Sequence, residues 1–388
     1  MACKAEGGRY SDFEFDSQFS PRSFMTLFKG ILDIDPRRFG FVRKVDENLV
    51  DGTNNVFVPA SLIAQYQLRP GVLLEGEMGE KGKKSPQASR IGTINGKTPD
   101  EWKTLMEFSH HRPITPRARL QLEGKGCGVS MRLVDLFCPI GKGQRALIVS
   151  PPKAGKTMLM QQLAHAISVN NPGIDLLVLL IDERPEEVTD MQRTIKGEVF
   201  ASSSDSERGR HVRLAQLVLE YAKRKVETGG DVVILLDSLT RLGRAFNLYQ
   251  KSSGRTLSGG VDARALEIPK RIFGAARQCE DGGSLTIIAT ALVDTGSRMD
   301  ELIFQEFKGT GNMELVLDRD LANERIFPAI NLNESGTRSE EILFGGLAGK
   351  HQLLRRSIAR KPPREAMLEV LKLLEQFPYN NDILAKFG

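Results

Sequence analysis

Cysteine, tryptophan and long apolar runs are scarce in this chain. Its 388 residues include one tryptophan and four cysteines, at positions 3, 127, 138 and 279, without a Cys-x-x-Cys pair or a neighbouring histidine. A zinc site or a disulfide framework needs closer, patterned spacing, so we expect free thiols. Because no apolar run approaches the roughly 20 residues of a membrane span and no signal-peptide-like region begins the sequence, we expect a cytoplasmic protein without membrane contact.

The composition is that of an ordinary soluble protein. Hydrophobic residues make up 40% and charged residues 27% of the chain, which is enough apolar material for a sizeable core. The length predicts two or more domains. A net charge of +5 permits a polyanionic partner but does not by itself indicate one.

The residue composition and the hydrophobic pattern change along the chain and predict four segments. Residues 1–23 read as a weakly ordered tail. Residues 24–98 contain short β-favouring pieces separated by turn residues, which predict a small barrel. Residues 99–138 form a basic, proline-containing connector that we interpret as a linker. The β-favouring pieces are 28–34, 39–43, 55–58, 72–78 and 89–94.

From residue 139 to 388, apolar runs alternate with helical patterns. The runs 146–149, 176–181, 232–236, 285–289 and 315–317 resemble strands buried on both faces. Between them, helical spacing places Leu214, Leu217, Val218, Tyr221 and Ala222 on one face, and residues 364–377 predict a closing amphipathic helix. Such alternation predicts an α/β domain with a mainly parallel sheet.

A phosphate-binding loop is predicted between one of these strands and the next helix. Residues 150–157 read Ser-Pro-Pro-Lys-Ala-Gly-Lys-Thr, with serine where the general pattern has glycine. Backbone N–H groups and the helix N-terminus would hold phosphates, Lys156 would reach the β- and γ-phosphates, and the Thr157 hydroxyl would bind Mg²⁺. The pattern therefore predicts ATP and Mg²⁺ as ligands, the alternative being a chance Gly-Lys-Thr in a loop.

Carboxylates end two further predicted strands. Asp237 follows one apolar run and Glu183 another. The carboxyl ends of strands in an open α/β sheet meet at the edge where ligands bind. Asp237 fits a residue that holds Mg²⁺, and Glu183 fits a carboxylate that orients the attacking water. Either residue alone could instead cap the next helix.

Longer blocks resemble the Rho family of bacterial transcription termination factors in order and spacing. Three of them are Pro-Ile-Gly-Lys-Gly-Gln-Arg at 139–145, Leu-Ile-Asp-Glu-Arg-Pro-Glu-Glu-Val-Thr at 180–189 and Asp-Ser-Leu-Thr-Arg at 237–241. Four more are Ser-Gly-Gly-Val-Asp at 258–262, Asp-Thr-Gly-Ser-Arg at 294–298, Phe-Lys-Gly-Thr-Gly-Asn at 307–312 and Ser-Gly-Thr-Arg at 335–338. The resemblance extends from about residue 24 to the C-terminus.

The resemblance implies a fold and an activity. The fold would be an OB-fold, cold-shock-like barrel at 24–98 followed by a RecA-like ATPase domain. The protein would form a homohexameric ring that hydrolyses ATP, moves 5′→3′ along single-stranded RNA and dissociates the RNA polymerase elongation complex.

The resemblance also implies roles for individual residues. ATP would contact Gly141, Lys142, Gly143, Gln144, Arg145, Ala146, Lys153, Ala154, Gly155, Lys156, Thr157, Met158 and Arg184, with Phe327 packing on the base. Arg338 would be an arginine finger entering the neighbouring subunit's site, and Arg325 would assist as a sensor. RNA would contact Phe39, Gly40, Phe41, Arg43, Asn55, Phe57, Lys83 and Lys84 on the barrel, and Arg255, Thr256, Gly259, Gly260, Arg298 and Lys308 in the central channel.

The chain departs from the family pattern at a few positions. Arg255 and Arg298 stand where the family commonly has lysine, and Ser85 replaces a tyrosine of the RNA-binding barrel. Because arginine is a planar fork of donors and lysine a point charge, we expect the grip and release of RNA to differ at Arg255 and Arg298. Because an aromatic residue is missing at Ser85, we expect weaker discrimination of pyrimidines than in typical relatives. A barrel that serves only as a scaffold, with Phe39 and Phe41 in its core, is the alternative.

Three functional alternatives follow from these features. The first is the RNA translocase. The second is an RNA-binding regulator that hydrolyses ATP poorly, and the third is a rotary-ATPase subunit or a recombinase built on the same core.

Overall fold

The computed structural model describes residues 26–50, 55–79, 86–249, 258–262 and 264–387. The predictions for residues 1–23 and for Lys83, Lys84, Ser85, Arg255 and Thr256 lie outside these ranges. Two sheets dominate, one with five antiparallel strands and one with nine mostly parallel strands. Within the described ranges, no helix has the length and apolar character needed to cross a membrane.

The smaller sheet curls into the predicted barrel. Its strands are β1 (Thr26–Ile34), β2 (Gly40–Arg43), β3 (Val56–Val58), β4 (Leu73–Met78) and β5 (Ala88–Ile94), in the order β3-β2-β1-β4-β5. The Phe57 N–H group donates a hydrogen bond to the Pro86 carbonyl at 2.8 Å and so joins the β3 edge to the residues before β5. Leu32, Val42 and Leu74 fill the interior. Two short helices, α1 (Ala60–Gln65) and α2 (Pro99–Thr104), accompany it.

The larger sheet is the predicted α/β domain. Its main path runs β14-β13-β7-β12-β10-β8-β9, with β11 and β6 attached to β12. The strands are β6 (Pro113–Ile114), β7 (Arg145–Ser150), β8 (Ile174–Glu183), β9 (Glu198–Ser203), β10 (Asp231–Asp237), β11 (Arg277–Cys279), β12 (Ser284–Leu292), β13 (Met313–Val316) and β14 (Gly336–Thr337). The five apolar runs became β7, β8, β10, β12 and β13. Strand β9 was missed because its sequence, Glu-Val-Phe-Ala-Ser-Ser, is not a continuous apolar run.

Helices cover both faces of the large sheet. They are α3 (Val129–Phe137), α4 (Lys156–Asn170), α5 (Pro185–Thr194), α6 (Arg208–Glu227), α7 (Leu239–Tyr249), α8 (Glu267–Gly274), α9 (Arg298–Lys308), α10 (Arg319–Asn323), α11 (Glu340–Phe344), α12 (Ala348–Ile358), α13 (Pro363–Gln376) and α14 (Asn380–Ala385). The five residues assigned to one helical face are all buried in α6. The closing helix predicted at 364–377 is α13.

The segment 99–138, which the sequence predicts as a linker, is packed along its length: Trp102 of α2 joins the core of the barrel, and the residues from Phe108 onwards pack into the α/β domain. Leu120, Leu122 and Met131 are fully or almost fully buried and share a core with Ile148 of β7. Residues of this segment also form β6, which pairs with β11. The sequence did not reveal this packing, because the apolar residues lie among basic and proline residues without the regular spacing of a helix or a strand.

Polar contacts fix the barrel against the α/β domain. Asn48 pairs with Ala201 of β9 through both its amide oxygen and its amide nitrogen, much as a neighbouring strand would. Arg69 forms an ion pair with Glu227 at 3.0 Å, and the Glu227 side chain is completely buried. Removing one partner from such a pair leaves a buried charge uncompensated, so this contact strongly favours a single docking geometry.

Candidate nucleotide-binding and RNA-binding sites

The predicted phosphate-binding loop connects β7 to α4. Strand β7 ends at Ser150 and helix α4 begins at Lys156. Gly155 caps the helix with a φ of 91°, a left-handed conformation that glycine adopts without strain. The free N–H groups of the first helical turn therefore face the loop, where the helix dipole favours an anion.

Lys156 brings the two predicted carboxylates into one cluster. Its Nζ lies 2.5 Å and 2.6 Å from the two oxygens of Asp237 and 3.6 Å from Oε1 of Glu183. The Thr290 hydroxyl, on the strand between β7 and β10, donates to Asp237 at 2.7 Å. Three neighbouring strand ends thus build one charged site next to the phosphate loop.

Glu183 is the buried carboxylate of this cluster. Only 1% of its surface is exposed, and neither carboxylate oxygen accepts a hydrogen bond from a described residue. Burial, and then the negative charge of Asp237, raise the pKa of Glu183, while Lys156 and Arg241 oppose the rise. A carboxylate with free acceptor positions and a raised pKa suits a group that takes a proton from water.

Two residues of the site had no predicted role. Arg241 lies 3.3 Å from Oε2 of Glu183 and also donates to the backbone carbonyl of Asp182. The second is Glu187, whose Oε2 lies 3.5 Å from the Thr157 hydroxyl. Glu187 lies in the block 180–189 and Arg241 in the block 237–241. Their place in these family-like blocks was the sequence signal that could have assigned them to the site.

An apolar cavity of about 320 Å³ adjoins the phosphate loop. Met158 and Phe327 line it, and both are largely exposed at 60% and 48%. The Phe327 ring approaches the loop at Gly155. An exposed ring beside a phosphate site is the arrangement that a nucleotide base needs for stacking. Arg184 caps helix α5 directly after Glu183, and Arg325 lies exposed two residues before Phe327.

The structure separates Gly141, Lys142, Gly143, Gln144, Arg145 and Ala146 from the phosphate loop of the same chain. They lie at the start of β7, whereas the loop follows its end, and six strand residues span about 20 Å. Lys142 is paired with Asp231 at 2.6 Å. These residues therefore occupy the edge of the sheet opposite to the phosphate loop of their own chain, and their contact with ATP stays a prediction.

Arg338 lies on that opposite edge. It follows β14 and lines a cavity of about 420 Å³ together with Arg145, Arg277 and Asn312. Among the described residues, its guanidinium has no hydrogen-bond or ion-pair partner, and its side chain is exposed. Arg338 is therefore exposed at the edge of the sheet opposite to the phosphate loop of its own chain.

Three aromatic rings form a cluster on the barrel surface. The centroids of Phe39, Phe41 and Phe57 lie 5.6–5.8 Å apart. All three side chains are partly exposed, and none belongs to the buried core. The guanidinium of Arg37 stacks over Phe39 at 4.7 Å. Because the rings are open to solvent, they can stack on unpaired bases, and the scaffold alternative loses its premise that Phe39 and Phe41 fill the core.

Two polar residues predicted to touch RNA are buried. Arg43 is 4% exposed and donates to Asp33 at 2.9 Å, while Asn55 is 5% exposed and donates to the Val50 carbonyl. Direct contact with RNA is not available to side chains that are enclosed and already paired. Gly40, the first residue of β2 and the neighbour of Phe39 and Phe41, is buried against Leu32, so it contributes to packing.

The predicted channel residues divide between the two ends of α9. An added Cβ at Gly259 would lie 2.8 Å from the Arg298 carbonyl, so the 258–260 turn, including Gly260, lies beside the start of this helix. Arg298 is exposed there. Lys308 ends the helix about 15 Å away, over the ring of Phe304. The structure therefore brings Arg298 together with Gly259 and Gly260, but not with Lys308.

Family models match both domains. The model of the Rho termination factor RNA-binding domain matches residues 28–100, and that of the ATP synthase alpha/beta family nucleotide-binding domain matches residues 130–337. A solved prototypical ATPase from the type III secretion system of pathogenic bacteria aligns with a TM-score of 0.58 at 20% identity, over 80% of this chain and 93% of its own. Together with the phosphate loop and its carboxylates, these matches define a RecA-like ATPase that carries an N-terminal RNA-binding barrel.

Curated relatives identify the family. The transcription termination factor Rho of Borreliella burgdorferi is 50% identical over 369 residues, covering 95% of this chain and 72% of the relative. That of Pseudomonas fluorescens is 54% identical over 319 residues, covering 81% of this chain and 76% of the relative. The chain belongs to the transcription termination factor Rho family, and it is an RNA-dependent ATPase. The rotary-subunit and recombinase alternatives are thereby excluded.

Proposed function

We propose that this protein acts in the cytoplasm as a homohexameric ring that moves 5′→3′ on nascent RNA and releases the RNA polymerase elongation complex. The observation that carries the proposal is the cluster of Lys156, Asp237 and Glu183 beside the phosphate loop. A chain that only bound RNA would have no use for a buried glutamate that faces Lys156 and Arg241 but whose oxygens accept no hydrogen bond from a described residue. The second observation is the open aromatic cluster on the barrel, which offers single-stranded RNA a stacking surface.

The proposed chemistry follows from the charges in the site. Lys156 would leave its carboxylate partners for the β- and γ-phosphates, where its ammonium offsets the charge that develops during transfer. Glu183 would orient the attacking water and accept its proton. Arg241 would keep Glu183 in place from the side opposite to Lys156.

The oxygen atoms present suit Mg²⁺. Thr157 and Asp237 offer a hydroxyl and a carboxylate, and Mg²⁺ commonly takes one or two protein oxygens together with substrate phosphates and water. Bound there, the ion would neutralise negative charge on the β- and γ-phosphates.

A second candidate is an RNA-binding regulator with weak ATPase activity. The departures at Arg298 and Ser85 favour it, since they alter the predicted RNA contacts. Retention of Lys156, Glu183, Asp237 and Arg338 favours the translocase.

The deciding experiment measures ATP hydrolysis by the purified protein with and without poly(C), poly(U) and poly(A) RNA. We expect strong stimulation by RNA, with none in the matched variant Glu183→Gln. Unwinding of RNA–DNA duplexes that carry either a 5′ or a 3′ single-stranded tail then tests direction, and only the 5′-tailed duplex should be separated. ATPase activity that is slow and indifferent to RNA would favour the regulator.

A further inference from the structure

Residues of the block Gly-Lys-Gly-Gln-Arg at 141–145 pack against, or form hydrogen bonds with, other residues of the same chain. Gly143 has a φ of 92°, and an added Cβ would lie 2.2 Å from the Gln278 backbone nitrogen, so only glycine fits. Arg145 donates to the Thr310 and Ala276 carbonyls. Gln144 is 2% exposed and donates to both the backbone oxygen and the side-chain oxygen of Asn312, at 3.0 Å and 2.7 Å.

Asn312 joins this block to the loop that carries Arg338. Its side-chain oxygen accepts from the Arg145 N–H group at 2.9 Å, and its own N–H group donates to the Arg145 carbonyl at 3.0 Å. Its backbone carbonyl accepts from the Arg338 N–H group at 2.9 Å. The Asn312 carbonyl therefore accepts hydrogen bonds from both the Gln144 side chain and the Arg338 N–H group.

The remainder of the Arg338 loop is anchored at its N-terminal side. The Ser335 hydroxyl accepts from the Val316 N–H group at 2.9 Å, and the Thr337 hydroxyl donates to the Pro139 carbonyl at 2.7 Å. After Arg338 the chain turns at Ser339, whose φ is 56°. Asn312 is thus the last support before the chain leaves the sheet.

We propose that Gln144 is a positioning residue that acts through Asn312 to fix the backbone of Arg338 for its action on a neighbouring subunit's ATP. The inference rests on the proposed function, since it assumes that Arg338 works in trans. It gives the blocks 139–145 and 307–312 one common role, which is to hold the finger and not to bind the nucleotide of their own chain.

Gln144→Leu tests the proposal, since leucine fills a similar volume and removes both hydrogen bonds that Nε2 of Gln144 donates to Asn312. We expect kcat for RNA-stimulated ATP hydrolysis to fall about 10- to 100-fold, because a misplacement of about 1 Å costs on that order. The affinity for ATP should stay within about two-fold of the wild-type value. The matched control is Gln278→Leu, which removes the side-chain oxygen that accepts a hydrogen bond from the Arg117 N–H group on the same edge. Since the Gln278 side chain makes no hydrogen bond to Asn312 or Arg338 among the described residues, kcat should be unchanged.

A double-mutant cycle separates positioning from general damage. If Gln144 acts through Arg338, then Gln144→Leu should have no further effect on single-turnover hydrolysis in an Arg338→Ala background. Asn312→Leu should behave as Gln144→Leu does and offers a second route should one variant fail to assemble. Additive losses, or a fall in ATP affinity that matches the loss of kcat/KM, would overturn the proposal.

Mixed rings distinguish failure of this inference from failure of the function on which it rests. Subunits with Gln144→Leu retain an intact phosphate loop, and subunits with Lys156→Ala retain an intact Arg338 edge. Mixing them should restore hydrolysis at interfaces that combine the two intact parts, as should mixing Arg338→Ala with Lys156→Ala. Recovery in the second mixture alone would refute the role of Gln144, whereas recovery in neither would refute action in trans.

Discussion

The ammonium of Lys156 lies within 2.6 Å of both carboxylate oxygens of Asp237. The two residues are 81 positions apart in sequence and meet because β7 and β10 end at the same edge of the sheet, separated only by β12. This contact neutralises a carboxylate that is 2% exposed. It also holds the lysine beside the loop that would bind the phosphates, so one pair links the stability of the site to its chemistry.

Replacing Lys156 with alanine should abolish ATP hydrolysis while the chain still folds and assembles. The ammonium would stabilise charge on the transferring phosphoryl group, an effect of several kcal/mol in such sites. Steady-state ATPase assays with native mass measurements check this expectation. Lys372→Ala, at an exposed position of α13, serves as the control and should retain activity. Ordinary turnover by the pure Lys156 variant would show that the site has been wrongly assigned.

Arg338 should act on ATP bound by the adjacent subunit. A mixture of Arg338→Ala and Glu183→Gln subunits creates some interfaces in which an intact Glu183 faces a neighbour's intact Arg338. Single-turnover hydrolysis should reappear at those interfaces, although each variant alone loses about 10³-fold or more. No recovery, in hexamers whose mixed composition is confirmed by mass, would mean that Arg338 serves its own chain or only the local fold.

Phe41→Ala should weaken binding of single-stranded RNA about ten-fold or more. Stacking of one base on an aromatic ring contributes roughly 1–3 kcal/mol, and Phe41 contacts both other rings of the cluster. Fluorescence anisotropy with labelled oligonucleotides measures the change. Tyr379→Ala is the control, since that ring is 64% exposed but lies on the C-terminal part of the other domain. Unchanged affinity of the Phe41 variant would return the barrel to a scaffold role.

The same assay tests base preference. We expect modest discrimination between cytosine and adenine oligonucleotides, because Ser85 replaces a predicted aromatic contact. A strong cytosine preference would contradict the expected loss of specificity and leave RNA binding itself untouched.

His351 should make the fold sensitive to acid. Burial, followed by the charge of Arg355, lowers the pKa of His351 to about 4, although the carboxylate of Glu340 lies 3.5 Å away. Because the unfolded chain keeps a pKa of about 6.5, it binds more protons than the folded chain between these values. The contribution of neutral His351 to the free energy of unfolding is therefore fully present above pH 6.5 and is lost as the pH falls towards 4.

Replacing His351 with glutamine tests that sensitivity. Glutamine can still donate to the Leu136 carbonyl, which the His351 Nε2 atom contacts at 2.9 Å. Between pH 7 and pH 5, denaturant unfolding should show about 2 kcal/mol less acid destabilisation in the variant than in the wild type. His165→Gln provides the comparison, as that side chain is exposed on α4. Equal acid sensitivity of His351→Gln and the wild type would exclude His351 as the cause.

The sequence by itself determined the two-domain order, the sheet types and the residues that carry the phosphate chemistry. Continuous apolar runs predicted the buried parallel strands because such strands are covered on both faces, and the phosphate loop was readable because its residues are contiguous. Phe39 and Phe41 were likewise recognisable, because they lie two residues apart in the β-favouring piece 39–43.

Only the tertiary structure decided how those motifs combine. The predicted strand at 146–149 already separates residues 141–145 from the phosphate loop at 150–157, but only the packed sheet shows that residues 143–145 contact Gln278, Asn312 and Thr310 at the opposite edge. Sequence order could not show that Arg43 and Asn55 turn inwards, or that residues 99–138 join the core. Burial and pairing depend on which distant side chains the sheet brings within a few ångströms, and that is a property of the packed chain.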